Sequence, residues 1–222
     1  MLYTHERKTE STASPNTMWP EMSTRGIDHN DMKKYLVERG LNFDIAELNG
    51  WYPSRSAMDN FLRVVIPAVS TKNGHVYWQA RAVSPNVHIR YQTPRGPRCG
   101  ALVYVKAFED KLTKQIVVVE GPMDALAVAS CGVDAVALMG MFPGQLALNH
   151  LAVLVNKRPA LVILDNELQA KKAAIDVMLY LATSGSIAHI ENVRHTKDLA
   201  AMPPDKRLTW LKPRIKDLEI EL

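Results

Sequence analysis

The strongest constraint on what this chain can fold into is a change of pattern near Thr113. From there, short apolar runs and helical stretches take turns. Ile116–Val119, Ala135–Leu138, Leu161–Leu164 and Ile187–Ile190 read as strands, bounded by turn residues and too short for helices. Between them, Pro122–Ser130 reads as a helix closed by Gly132, and two more helices are predicted over Gln145–Lys157 and Leu168–Leu181. Such alternation with short connections predicts an α/β unit: a parallel sheet with helices on both faces and chemistry at the carboxyl ends of its strands.

Carboxylates fall at those ends. Glu120 directly follows the first apolar run, and Asp165 follows the third, with Glu167 two residues on. Parallel neighbours would bring these side chains to one rim, where like charges repel unless a divalent cation lies between them. An oxygen-only donor set of this kind suits Mg²⁺ or Mn²⁺, with phosphate oxygens completing the shell. Gly121 permits a sharp turn off the strand, and Pro122 fits the first helical position, where its missing N–H costs nothing. Asp124 reads first as an acid favoured by the helix dipole, with a ligand role left open. Asp198, eight residues past the last strand, is a fourth acid for the rim. Any one of these acids alone would more often be a cap or a solvated loop residue; the joint placement is the signal.

The N-terminal half has a different character. Residues 1–24 are rich in Ser, Thr, Pro and Asn and cannot bury enough surface to offset their ordering entropy, which predicts a disordered tail. Residues 25–112 read as a small α+β unit. A helix begins near His29 with Asp28 as its cap and Gly40 past its end, and a short helix over Phe43–Leu48 is closed by Gly50. Phe61–Val69 and His75–Val83 form a hairpin around Thr71–Gly74, and Ala101–Val105 is a further strand. The α/β unit then covers 113–200, and residues 201–222 form a tail with a helix around Asp205–Leu211.

Charge is concentrated in the first half. Between Phe61 and Gln115 there are nine cations, Arg63, Lys72, Arg81, Arg90, Arg95, Arg98, Lys106, Lys111 and Lys114, against two acids, Glu109 and Asp110. Interleaved with Tyr77, Trp78, Tyr91 and Tyr104, this stretch carries both the charge that attracts phosphates and the rings on which single-stranded bases stack. Solvated strand faces account for the same pattern about equally well. No run approaches the roughly 20 apolar residues needed to cross a bilayer, and the N-terminus lacks a signal peptide's apolar segment. A soluble, cytoplasmic protein with no membrane partner is expected. Cys99 and Cys131 are too few for a zinc site and are expected to be free thiols.

The segments Val117–Leu126, Ala135–Gly140, Leu161–Glu167 and Lys197–Leu199 resemble a Toprim domain, the metal-binding fold of primases, topoisomerases, small ribonucleases and recombination proteins. Their order resembles the primase branch. Tyr35–Gly40, Leu62–Pro67, Gly74, Arg81 and Arg90-Tyr91 resemble the basic subdomain that precedes Toprim in bacterial and phage primases of the DnaG type. The resemblance implies that Glu120 is the acid/base residue, that Asp165, Glu167 and Asp198 bind Mg²⁺ or Mn²⁺, and that Arg81 and Arg90 guide template or nucleotide phosphates; Arg63, Arg95, Arg98 and Lys106 of the basic stretch are further candidate nucleic-acid contacts. The implied activity is metal-dependent synthesis of short RNA primers from ribonucleotides on single-stranded DNA, and the small size and compressed motifs suit replication of a phage or other mobile element.

Two departures from that family stand out. Its second motif is Asp-x-Asp followed by a small residue and Gly, whereas Asp165-Asn166-Glu167 is followed by Leu168-Gln169. The longer Glu arm moves an oxygen by about 1 Å, enough to disturb aligned chemistry. No zinc module precedes the basic half and no helicase segment follows Asp198, so a separate zinc-bearing subunit or helicase is an expected partner unless the chain starts with little sequence choice or no longer primes. The rival readings are a catalytically degenerate module that binds nucleic acid or docks in a larger replication or transcription complex, and a Toprim nuclease. A recombination mediator ranks lower, since that branch's paired cysteines are missing.

Overall fold

In the computed structural model, residues 29–218 are described apart from 57, 70–76, 97, 141, 142, 194 and 195. The expected tail over 1–24, the Asp28 cap and the Thr71–Gly74 turn therefore lie outside the described residues. The chain begins with α1 (His29–Glu38) and α2 (Phe43–Leu48). Both helices end on a left-handed glycine, Gly40 at φ +66° and Gly50 at φ +73°. The Leu41 N–H bonds to the Leu36 carbonyl and the Trp51 N–H to the Ala46 carbonyl, so the orphaned last-turn carbonyls are satisfied as the chain turns.

Next comes an antiparallel sheet, in the order β1 (Tyr52–Arg55), β2 (Leu62–Ala68), β3 (Tyr77–Ala82), β4 (Tyr91–Gln92). The predicted hairpin is β2 and β3, running from Arg63 opposite Ala82 to Ala68 opposite Tyr77.

The second sheet has the order β5-β7-β6-β8-β9, with β5 (Val103–Val105), β6 (Ile116–Val119), β7 (Asp134–Ala137), β8 (Ala160–Ile163) and β9 (Ala188–Ile190). Strands β7, β6, β8 and β9 run parallel, while β5 joins the edge antiparallel to β7. The fold is thus the expected α/β sheet preceded by a small α+β region. One grouping differs: β5, assigned from sequence to the N-terminal unit, is the edge strand of the second sheet. Val69 and Leu102 exchange two backbone hydrogen bonds of 2.8 and 2.9 Å just ahead of β5, joining the two sheets.

Alternation along β6, β7 and β8 divides the core. Val117, Val119, Ala135, Ala137, Leu161 and Ile163 pack with α3 (Pro122–Ala129), α1, α2 and α6 (Pro204–Asp217). Ile116, Val118, Val136, Ala160 and Val162 pack on the other face with α4 (Gln145–Val155) and α5 (Leu168–Thr183). All four residues of β6 are fully buried, each contributing about 1.5–3 kcal/mol of apolar burial. That is why the run is continuous rather than alternating.

At the amino end of β7, Asp134 is fully buried and fully engaged. It accepts from the Ala107 and Thr113 N–H groups, the Tyr104 hydroxyl and the Arg158 guanidinium, the last at 2.7 Å. Cys99 and Cys131 are not joined in a disulfide. No helix among the described residues is long and apolar enough to cross a membrane.

Candidate active site

The carboxyl rim of the second sheet is where its helices and loops deliver acids. After β6 the chain turns through Glu120 and Gly121 into α3, with Gly121 as N-cap and Pro122 at the first helical position. A Cβ on Gly121 would stand 3.1 Å from Asp124 Oδ2, so glycine lets this first-turn acid lie against the turn. The Leu138 and Met139 N–H groups donate to the Val119 and Glu120 carbonyls, which extends the β6–β7 pairing past the strand ends and fixes Glu120.

Asp165 follows β8, and the Asn166 side-chain amide donates to the Val193 carbonyl at 2.5 Å, pinning that loop to the segment beyond β9. Asp198 Oδ1 accepts from the Ala201 N–H at 2.7 Å, closing a turn over the same rim. Within that turn the Ala200 N–H donates to Asp124 Oδ1 at 2.9 Å.

Glu120, Asp124, Asp165 and Asp198 line one cavity of about 370 Å³. The N-terminal unit supplies its cations, Arg39, Arg81 and Arg90, together with Tyr91, and Lys197 is the remaining cation. Arg81 is held in place: its Nε donates to the Tyr35 hydroxyl at 3.3 Å, and its guanidinium stacks 4.8 Å from the Tyr91 ring centre. The Arg39 guanidinium lies 5.6 Å from the Tyr35 ring centre, so two cation–π pairs are linked through the Arg81–Tyr35 hydrogen bond.

The acids raise one another's proton affinity. Burial pushes the Asp124 carboxyl up to about 7, and the neighbouring charge of Asp198 adds to it, outweighing the Ala200 N–H that favours ionisation. Burial also raises Glu120, followed by the charge of Asp165 and, more weakly, Glu167. Asp165 is raised by burial and then by Asp198, with Lys197 acting against the rise. Glu120 Oε2 is buried and lacks a hydrogen-bond partner. The rim is therefore charged beyond what its own donors satisfy.

The structure treats the sequence-predicted residues unequally. Glu120, Asp165 and Asp198 share the cavity, as do Arg81 and Arg90. Glu167 is exposed at the N-cap of α5 and does not line it, because the Asn166 tether leaves Asp165 inward and Glu167 outward. Among the described residues no three His, Cys, Asp or Glu side chains stand in a metal-holding group.

Arg63 needs correction as a nucleic-acid contact. It is fully buried, paired with Asp59 at 2.5 Å and donating to the Ile89 carbonyl at 3.0 Å, so it fastens the first sheet from inside. Arg98 donates to the Leu138 and Met139 carbonyls at 3.3 and 2.6 Å, and Lys106 to the Glu109 carbonyl at 2.7 Å. Arg95 is exposed, and none of these three lines the cavity.

Sequence reasoning passed over Arg39 and ranked Asp124 as a dipole-favoured acid. The available signals were local: Arg39 immediately precedes the Gly40 that ends α1, and Asp124 sits at the third helical position after a glycine turn.

Residues 117–202, which hold the parallel strands of the second sheet and its carboxylate rim, match a family model described as Toprim-like. No curated protein sequence matches the chain. Among solved structures, the zinc-binding and RNA polymerase domains of the Aquifex aeolicus primase superpose with a TM-score of 0.62 at 17% identity, over 83% of this chain and 55% of that one. The primase fragment of the bacteriophage T7 primase-helicase gives 0.54 at 17% identity, over 82% of this chain and 72% of that one. The T7 primase domains seen with the phage lagging-strand DNA polymerase give 0.52 at 17% identity, over 82% and 88%. The chain thus spans about half the length of that Aquifex primase structure, and at these identities the likeness is one of fold.

Proposed function

We propose that this chain is a primase-type nucleotidyltransferase core that makes short RNA primers on single-stranded DNA, in the cytoplasm of a cell or of a phage-infected host. The observation that carries the reading is the shared cavity: four carboxylates from the Toprim-like rim and three arginines from the basic unit line a single space. A nuclease meets one phosphodiester at its acids and needs fewer cations there. A polymerase acting on triphosphates also needs cations for the phosphates, and here they are built into a separate unit.

The donor set fits a hard divalent ion. Every candidate ligand is a carboxylate, the acids hold one another's protons on, and Glu120 Oε2 is buried with nothing to satisfy it. Asp165 and Asp198, with Glu167 at the edge, are the residues that would hold Mg²⁺ or Mn²⁺. When bound, such an ion supplies charge neutralisation for triphosphate oxygens and for the leaving pyrophosphate.

The chain's own residues do the rest. Arg81, braced by Tyr35 and Tyr91, together with Arg90 and Arg39, binds and orients phosphate oxygens. Glu120, with its proton affinity raised by burial, accepts the proton of the attacking 3′-hydroxyl. Incubating the protein with single-stranded DNA, labelled ribonucleotides and Mn²⁺ tests this reading: growth of labelled oligoribonucleotides is expected, and strand shortening without growth would replace it with the nuclease.

A second reading, a degenerate module that binds nucleic acid or docks in a larger assembly, is favoured by one observation: Glu167 stands outside the cavity and the described acids form no three-ligand group. Absence of specific Mn²⁺ binding, with Glu120→Gln leaving the biological activity unchanged, would establish it. A separate helicase or zinc-bearing subunit is the partner the primase reading calls for.

A further inference from the structure

The C-terminal helix α6 carries a cation that the site described above does not contain. Arg207 is fully buried. Its Nε donates to the Leu199 carbonyl at 2.9 Å, and its Nη2 to the Met202 carbonyl at 2.7 Å and, more weakly, the Ala200 carbonyl at 3.5 Å. Its Nη1 donates to the Gly40 carbonyl at 3.1 Å. These are all main-chain carbonyls from two segments far apart in sequence, Gly40 and Leu199–Met202, and the planar fork of donors is what allows one side chain to hold both.

Both segments adjoin the cavity, through Arg39 on one side and Asp198, Ala200 and Ala201 on the other. Leu199–Met202 follows Asp198, and its Ala200 N–H holds Asp124. Gly40 follows Arg39, one of the cavity's cations. The approach is close: a Cβ on Gly40 would meet Pro204, the first residue of α6, at 2.5 Å.

We propose that Arg207 is a positioning residue of this active site, clamping the Asp198–Met202 turn to the end of α1 so that the carboxylate rim and the arginine set keep their spacing. The proposal rests on the primase reading only for what the spacing serves; the clamp itself is a statement about the chain. It makes α6 a working part of the site rather than a tail. Lysine at this position keeps a charge but, as a point donor, can reach only one of the two segments.

Two variants and one measurement on the unaltered protein test it. In the unaltered, metal-free protein, the Ala200 and Met202 amides are expected to exchange with solvent as slowly as those of β6; exchange at free-loop rates would overturn the clamp. Arg207→Lys is expected to weaken Mn²⁺ binding, read by titration calorimetry, roughly tenfold or more, as loss of an outer support does elsewhere. It should also speed exchange at Ala200 selectively.

Leu211→Ala, a buried apolar truncation on the same helix, serves as the control for general destabilisation. At similar loss of Tm it should leave Mn²⁺ affinity within about twofold. Equal effects of the two variants would reduce Arg207 to a packing residue and sink the proposal. If the unaltered protein binds no Mn²⁺, the primase reading fails, while the exchange comparison still decides the clamp.

Discussion

Asp124 Oδ1 accepts the Ala200 N–H at 2.9 Å across 76 positions of sequence, tying the first turn of α3 to the turn that carries Asp198. This bond joins the two ends of the Toprim-like segment at its carboxylate rim.

A pH dependence follows from the burial of Asp124, which outweighs this bond. The folded chain holds the Asp124 proton up to about 7, whereas the unfolded chain releases it near the ordinary value of 3.8. Between those values the folded state binds more protons, so the stability of the metal-free protein falls as pH rises from about 4 to 7, by an amount on the order of a few kcal/mol. Glu120 and Asp165, also raised, act in the same direction. Thermal melts in chelator should give a Tm that declines from pH 5 to pH 8. Asp124→Asn should flatten much of the slope, and a wild-type Tm that rose over this range would contradict the assignment.

Glu120→Gln removes a charge from a crowded rim while keeping the shape. Tm in chelator should stay level or rise, and primer synthesis should fall by about 10²–10⁴-fold, the range for loss of a positioned acid/base group. Circular dichroism melts and a primer-extension assay on the same preparation separate the two effects.

Arg63 and Arg90 lie in the same basic stretch and should fail differently. Arg63→Met removes the buried guanidinium that ties the partly exposed Asp59 and the Ile89 carbonyl to the first sheet, and should cost about 1–3 kcal/mol of stability in denaturant melts. The salt dependence of DNA binding should remain as it was. Arg90→Ala, on the exposed side of the cavity, should leave stability within about 0.5 kcal/mol. It should lower the salt slope of single-strand binding by about one, as loss of a phosphate contact does.

Sequence alone made much of this molecule legible, for definite reasons. Strands β6 and β8 are buried on both faces, so their apolar runs are unbroken, and the acid that ends each run marks the rim. Gly40 and Gly50 announced the ends of α1 and α2 because left-handed turns favour glycine. Strand β1, with Pro53 inside it, was illegible because its pairing is set by its place at a sheet edge, where a missing N–H is tolerated. Strand β5 is three residues long, and which sheet it joins is decided by tertiary contact rather than by its residues. Arg63 looked like its neighbours in a basic stretch, and only the fold distinguishes an inward arginine paired with Asp59 from an outward one. The cavity's dependence on Arg39 and Asp124 was hidden for a similar reason: they come together across two units.

Glu167 gives a last discriminating substitution. Its charge acts on Glu120 and Asp165 from outside the cavity, so Glu167→Gln should reduce Mn²⁺ affinity less than Asp165→Asn does, by roughly tenfold or more on the scale typical of outer and inner metal partners. Parallel calorimetric titrations check it, and equal losses would place Glu167 among the direct ligands.

The two ends of β7 and β6 divide the labour of this fold. At the amino end every oxygen of Asp134 is occupied, so that corner is complete without any outside molecule. At the carboxyl end Glu120 keeps an oxygen in reserve. An engineer seeking altered substrate choice would therefore exchange loops at the reserve end and leave the completed corner untouched, since the latter holds the scaffold's register whatever chemistry is grafted above it.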